Sequence, residues 1–137
     1  MDRTLAIMKP DCVQKKLVGK VVDKILENGF NILGLKMIRL SEAQAKAFYD
    51  VHEGKPFYDE LVDFMTEGPV VVASLEKENA VAAWRELMGA TNPTEADEGT
   101  LRKLFADNVG RNIVHGSDAT ETAKREISFF FSETELI

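Results

Sequence analysis

The sequence predicts an α/β fold of the α+β kind, a four-stranded antiparallel sheet with helices packed on it. Three observations predict it. Short apolar runs bounded by Gly, Pro or charged residues read as buried strands, and stretches with i, i+3, i+4 apolar spacing between them read as helices. A polar, irregular stretch after Gly89 then separates three strands from a brief fourth. At 137 residues the chain is one domain's worth, residues 1–137, and large enough to bury a core without a metal or disulfide staple.

Thr4 to Met8 is the first strand, stopped by Lys9-Pro10-Asp11. Val18, Val21, Val22, Ile25 and Leu26 make one helix face, and Gly29 stands where a left-handed cap ends it. Leu33, Leu35 and Met37 alternate with Gly34, Lys36 and Ile38 in a second strand to about Leu40. Ser41 and Gln44 have capping-box spacing, so a helix begins there and runs to the Gly54-Lys55-Pro56 breaker. Tyr58, Leu61, Val62 and Met65 mark a second helix, closed by Gly68-Pro69. Val70 to Leu75 is almost wholly apolar and predicts a central strand. Val81, Trp84 and Met88 share a helix face that Gly89 ends, and Leu101–Phe105 is a short helical piece within the long loop. Asn112–His115 is the brief fourth strand, and Ala119–Phe131 the last helix. Strand, helix, strand, two helices, strand, helix, loop, strand, helix is the order of a ferredoxin-like sheet with a helical pair inserted between strands two and three.

Lys and Arg number 17 against 23 Asp and Glu, a net charge of −6. That balance argues against coating duplex nucleic acid or an anionic membrane and favours small-molecule or protein partners. The single cysteine, Cys12, excludes an intrachain disulfide and fits a reducing compartment. Lys9-Pro10-Asp11 interrupts the first apolar run too early for a signal peptide, so a cytoplasmic protein is expected.

The segment Asn112-Ile113-Val114-His115-Gly116-Ser117-Asp118 concentrates the chemistry. Asp118 and Glu121 have the spacing of an N-cap and its partner, so a helix is expected just after His115. Its positive end would favour the neutral, nucleophilic ring and receive an anion. Gly116 would leave room beside the ring. The competing reading is a histidine that merely packs or caps at a strand end. His52 lacks such a context and reads as a solvated residue, and no H-x-x-x-H pair suggests a metal. Lys9, Arg85 and Arg102 flank breaker-rich turns where charged side chains can converge on a cleft, although each alone is also an ordinary surface charge. Both common glycine-rich nucleotide loops are absent.

These residues resemble those of the nucleoside diphosphate kinases. The resemblance spans nearly the whole chain. It takes in Ile7-Met8-Lys9-Pro10-Asp11, Lys55-Pro56-Phe57-Tyr58, Gly68-Pro69-Val70-Val71, Gly89-Ala90-Thr91-Asn92-Pro93, Gly99-Thr100-Leu101-Arg102 and the His115 segment. It implies ping-pong transfer of a γ-phosphoryl group from a nucleoside triphosphate to a diphosphate through a phosphohistidine. By position, His115 is the nucleophile through Nδ1 and Glu126 the carboxylate that orients its ring. Lys9, Arg85 and Arg102 bind phosphate, with Thr91 and Asn112 as polar partners to phosphate and sugar. Tyr49 lies near the transferred group, and Phe57 stacks on the base, which allows broad base tolerance. Mg2+ would ride on the phosphates and water, with no protein metal site. Self-association as a tetramer or hexamer is implied, with neither chosen.

Cys12 stands where the family commonly has a smaller residue, and reads either as a buried thiol or as a redox-sensitive one beside the site. A binding module that kept the cleft without turnover is the alternative function. The joint presence of His115, Glu126, Lys9, Arg85 and Arg102 favours catalysis over it.

Overall fold

A computed structural model describes all 137 residues. The strands are β1 (Asp2–Met8), β2 (Asn31–Ile38), β3 (Val70–Lys77) and β4 (Val114–Gly116). They form one antiparallel sheet in the order β2-β3-β1-β4. The helices are α1 (Pro10–Gln14), α2 (Val18–Glu27), α3 (Glu42–Phe48), α4 (Tyr58–Met65), α5 (Ala80–Met88), α6 (Leu101–Phe105) and α7 (Thr120–Phe130). The helical pair between strands two and three is α3 and α4, as the spacing predicts, and the long loop before β4 carries α6. None of the helices is long and apolar enough to cross a membrane.

Period-two alternation along β1 sorts the core into two layers. Ala6 and Met8 face a cluster with Val21, Ile25, Phe30, Trp84, Met88 and Leu101. Leu5 and Ile7 face another with Phe48, Tyr49, Val62, Met65, Ile127 and Phe130. The apolar run of β3 is buried along six residues because the strand pairs on both edges, with β1 and with β2.

Local signals explain the boundaries. Ser41 and Gln44 make both reciprocal bonds of the capping box, at 3.1 and 2.9 Å. Gly29 takes φ +83°, the left-handed conformation expected past the end of α2. Pro10 occupies the first position of α1, a short helix that the Lys-Pro-Asp breaker concealed.

Three expectations are corrected. The helix begun at Ser41 stops at Phe48 instead of reaching Gly54, and Asp50–His52 forms a separate 3-10 turn. Arg125 of α7 donates to the terminal carbonyls of Ala47 and Phe48, replacing the next helical turn. In β2 the alternation breaks at an irregularity between Ile32 and Gly34, so Leu33 is buried while Leu35 and Met37 are about half exposed on the sheet edge. Gly34 is needed there because Phe131 and Leu136 lie where a side chain would stand. Finally, α7 starts at Thr120 with Ala119 at its N-cap, so Asp118 does not cap it.

Candidate active site

His115 lies in β4 opposite Ile7 of β1, so its side chain projects from the Leu5–Ile7 face toward α3 and α7. Its ring packs edge-on against Phe48 and Tyr49, with centroids 5.6 and 6.3 Å away. Nε2 is 3.0 Å from Glu126 Oε1, and the same oxygen accepts the Ser117 hydroxyl at 2.8 Å. Ser117 Oγ in turn accepts the amide of Leu5 at 3.3 Å. The carboxylate is therefore tied to β1 through one hydroxyl. A neutral imidazole donating from Nε2 to this carboxylate presents a bare lone pair at Nδ1, which has no hydrogen-bond partner within the chain.

Glu126 sits on the apolar stripe of α7, among buried Ala123, Ile127 and Phe130. A carboxylate on a buried helix face requires a polar partner, and that placement is the local signal for it. Spacing alone did not single it out in the sequence.

From the opposite face of the sheet the Trp84 indole N–H donates to the His115 carbonyl at 3.1 Å. Gly116 points the same way. A Cβ there would stand 2.5 Å from Trp84 Cδ1 and 2.6 Å from Met88 Cε. Room for the tryptophan, on the face away from the His115 ring, is thus the reason for glycine, which corrects the expected role of making space beside the ring.

Lys9, just past β1, donates from Nζ to Asn112 Oδ1 at 2.8 Å, and Asn112 Nδ2 donates to the Thr91 carbonyl at 3.2 Å. Burial, and then the charge of Arg102, press the Lys9 ammonium down to about 8, while Asp11 pulls the other way. Arg102 donates to three main-chain carbonyls, Asn112, Gly89 and Val114, at 3.3, 3.0 and 2.8 Å. Burial and neighbouring Arg85 lower it to about 10, so the guanidinium stays charged near neutrality. With three of its five N–H groups committed, two remain for a ligand.

Two clefts meet at Thr91. The larger, about 910 Å³, has Lys9 and Thr91 at its polar end and four apolar side chains, Phe57, Leu61, Phe64 and Val109, in its walls. Phe57 and Val109 are about half exposed, one on the turn before α4 and the other on the loop before β4. Arg111 ties the loop before β4 to the far end of α4 by bonding Glu67 and lying 5.0 Å over the Phe64 ring. The smaller cleft, about 330 Å³, sets Arg85, Arg102 and Thr91 beside Glu86, Glu95 and Asp97. An apolar slot leading to a pair of guanidinium groups offers a base one end and a phosphate the other. Val109 escaped the sequence reading; its signal is an apolar residue in the polar run Asn108-Val109-Gly110.

Tyr49 is buried beside His115, and its hydroxyl has no partner. Burial, with the charge of Glu126, raises its phenol well above the usual range. His52, expected in solvent, instead packs between Tyr49 and Phe57, with centroids 6.4 and 5.1 Å away. Cys12 is fully buried, and burial with Asp11 pushes its thiol up to about 12, which favours the inert reading over the redox one. No group of three His, Cys, Asp or Glu side chains is arranged to hold a metal ion.

The family model described as nucleoside diphosphate kinase matches residues 2–136. The nucleoside diphosphate kinase of Chlorobium limicola is 57% identical over 137 residues, covering 100% of this chain and 98% of that one. That of Pelobacter propionicus is 56% identical and covers both chains fully. Among solved structures, the Aquifex aeolicus nucleoside diphosphate kinase superposes with TM-score 0.97 at 43% identity, covering 99% of each chain. The Halobacterium salinarum enzyme in complex with CDP gives 0.95 at 40%, covering 99% of this chain and 91% of that one.

Proposed function

The chain belongs to the nucleoside diphosphate kinase family, and on that premise we propose how its residues move the γ-phosphoryl group of a nucleoside triphosphate, typically ATP, to a nucleoside diphosphate. The observation that carries the proposal is the bond from His115 Nε2 to Glu126, which leaves Nδ1 as the nucleophilic nitrogen. In the first half-reaction the Nδ1 lone pair attacks the γ-phosphorus. The Nδ1–P bond forms, the bond to the β–γ bridging oxygen breaks, and the diphosphate leaves with that electron pair. The Nε2 proton stays on the ring, where Glu126 offsets the positive charge that develops. A second diphosphate then attacks the phosphohistidine in the reverse sense.

Lys9, Arg85 and Arg102 hold the phosphates, and Asn112 and Thr91 complete the polar wall toward phosphate and sugar. Catalysis by such a site is positioning and charge stabilisation. The unpartnered Tyr49 hydroxyl supports a role for it beside the transferred group. The base enters between Phe57 and Val109, where aromatic stacking and apolar contact accept any base. A divalent cation, Mg2+ in this reading, would be held mainly by the nucleotide phosphates and water. It would neutralise phosphate charge.

The same reading holds that the chain self-associates. Edge strand β2 leaves Leu35 and Met37 exposed, and Leu26 of α2 is also exposed, apolar surface of the kind that a second copy covers. A cytoplasmic location completes the proposal.

The test is covalent. Incubation with Mg·ATP should yield an acid-labile, base-stable phosphoryl adduct on His115, and His115→Gln should abolish both adduct and transfer to added diphosphates. Nucleotide binding without adduct in the intact protein would instead mark a binding module.

A further inference from the structure

Ile113 is a β-branched residue at φ +62°, in the left-handed region such residues rarely enter. The amide of Val114 bonds the carbonyl of Asn112 at 2.8 Å across it, the i to i+2 pattern of a strained γ-turn. Such a turn persists only when its surroundings over-determine it. Here both polar groups of Ile113 are held by one short segment. The Lys9 amide donates to its carbonyl at 2.8 Å, and its own amide donates to Asp11 Oδ2 at 3.1 Å. Asp11 is buried, and its other oxygen has no partner.

We infer that Asp11 is a positioning residue for phosphoryl transfer: its carboxylate locks the Ile113 turn and so fixes the Lys9–Asn112 pair, two of the three carbonyls that anchor Arg102, and the start of the strand that carries His115. A charge-assisted bond to a backbone amide suits that task. The turn lies between every one of these groups. Asn112 precedes it, carrying the Lys9 and Thr91 contacts, and Val114 follows it, accepting Arg102. Asp11 forms no ion pair with Lys9, whose ammonium bonds neutral Asn112 instead. The lysine charge therefore stays available to phosphate while the buried carboxylate supports it from a distance. The other charges around Lys9 are Arg102 of α6 and, across the cleft, Glu60 and Asp63 of α4 and Glu67 just past it, with Arg111.

This inference rests on the reaction proposed above, and two variants test it. Asp11→Asn keeps an acceptor for the Ile113 amide but loses the charge, whereas Asp11→Ala loses both. Asp11→Ala should lower kcat by about 10- to 100-fold, the scale of a displaced reacting group. Asp11→Asn should recover most of that loss, yet move the alkaline limb of kcat/KM to lower pH, because Asp11 is the neighbour that holds the Lys9 ammonium up. A parallel ADP-affinity series against pH by calorimetry should show the same displacement. Wild-type kcat in Asp11→Ala, or an unmoved limb in Asp11→Asn, overturns the assignment. Should Asp11→Ala fail to fold, the Asp11→Asn limb decides alone. If the wild type forms no phosphohistidine, the proposed reaction fails, and the ADP series still judges Asp11 on its own.

Discussion

Glu126 Oε1 stands 3.0 Å from His115 Nε2 and 2.8 Å from Ser117 Oγ, so one carboxylate oxygen serves both the His115 ring and the strand beside it. Altering the carboxylate and removing its Ser117 donor separate the two tasks. Glu126→Gln should lower kcat by about 10- to 100-fold through misorientation of the ring, with a smaller change in KM. Ser117→Ala leaves the Leu5 amide without its side-chain acceptor and should cost about 1–2 kcal/mol of stability in denaturant titration. Equal kcat for Glu126→Gln and wild type in steady-state assays would remove Glu126 from the mechanism.

The lysine predicts a pH profile. With Lys9 held down to about 8, kcat/KM should fall as pH rises through that value, because the charge proposed to receive phosphate is lost. Stability moves the opposite way. Between about 8 and the ordinary 10.5 the unfolded chain binds more protons at this position than the folded one, so the lysine makes folding more favourable as pH rises. Melting temperatures of wild type and Lys9→Met, compared across that interval, isolate the contribution. A difference between them that stays constant with pH contradicts it.

Gly116→Ala should be destabilising by about 1–3 kcal/mol, since its methyl would overlap Trp84 and Met88 on the far side of the sheet. The strand must move to admit it, and His115 moves with the strand, so kcat should fall alongside stability. Thermal unfolding and single-turnover phosphorylation measured on one preparation check both halves.

Phe57→Ala tests the base slot. The side chain is about half exposed and packs little into the core, so stability should stay within about 0.5 kcal/mol. Nucleotide affinity should weaken by about 1 kcal/mol or more through lost stacking, and to a similar degree for every base. Calorimetric titration of the four diphosphates reads this directly; loss confined to one base would point to edge recognition instead.

Much of the architecture was legible because local signals and tertiary packing agree. Ser41 and Gln44 close the box that their spacing predicts, Gly29 turns left-handed where a cap belongs, and the apolar run of β3 lies at the centre of the sheet. What escaped depends on contacts distant in sequence. The early end of α3 reflects Arg125, some 77 residues away. The exposed face of β2 follows from a backbone irregularity that alternation cannot announce. Lys9, Arg85, Arg102, Thr91 and Asn112 could be named from a family pattern, but no periodicity shows that Asn112 joins Lys9 to Thr91 or that Arg102 leans on three carbonyls. The role of Gly116 was misjudged for the same reason, because its neighbour Trp84 lies 32 positions earlier in the chain.

The net −6 of the chain does not preclude a local cluster of cations: Lys9, Arg102 and Arg85 lie close enough to depress one another, although carboxylates such as Glu67, Glu95 and Asp97 line the same clefts. Transfer should therefore weaken with added salt despite the acidic whole, a screening effect confined to that local cluster.

Trp84 is the only tryptophan in the chain, and its indole N–H is bonded to the carbonyl of the residue proposed to carry the phosphoryl group. The protein thereby holds a built-in optical probe that is fully buried behind the strand it reports on. Any shift of β4 during turnover alters the indole's hydrogen bond. Stopped-flow emission excited at the indole can then time the strand's response without a label.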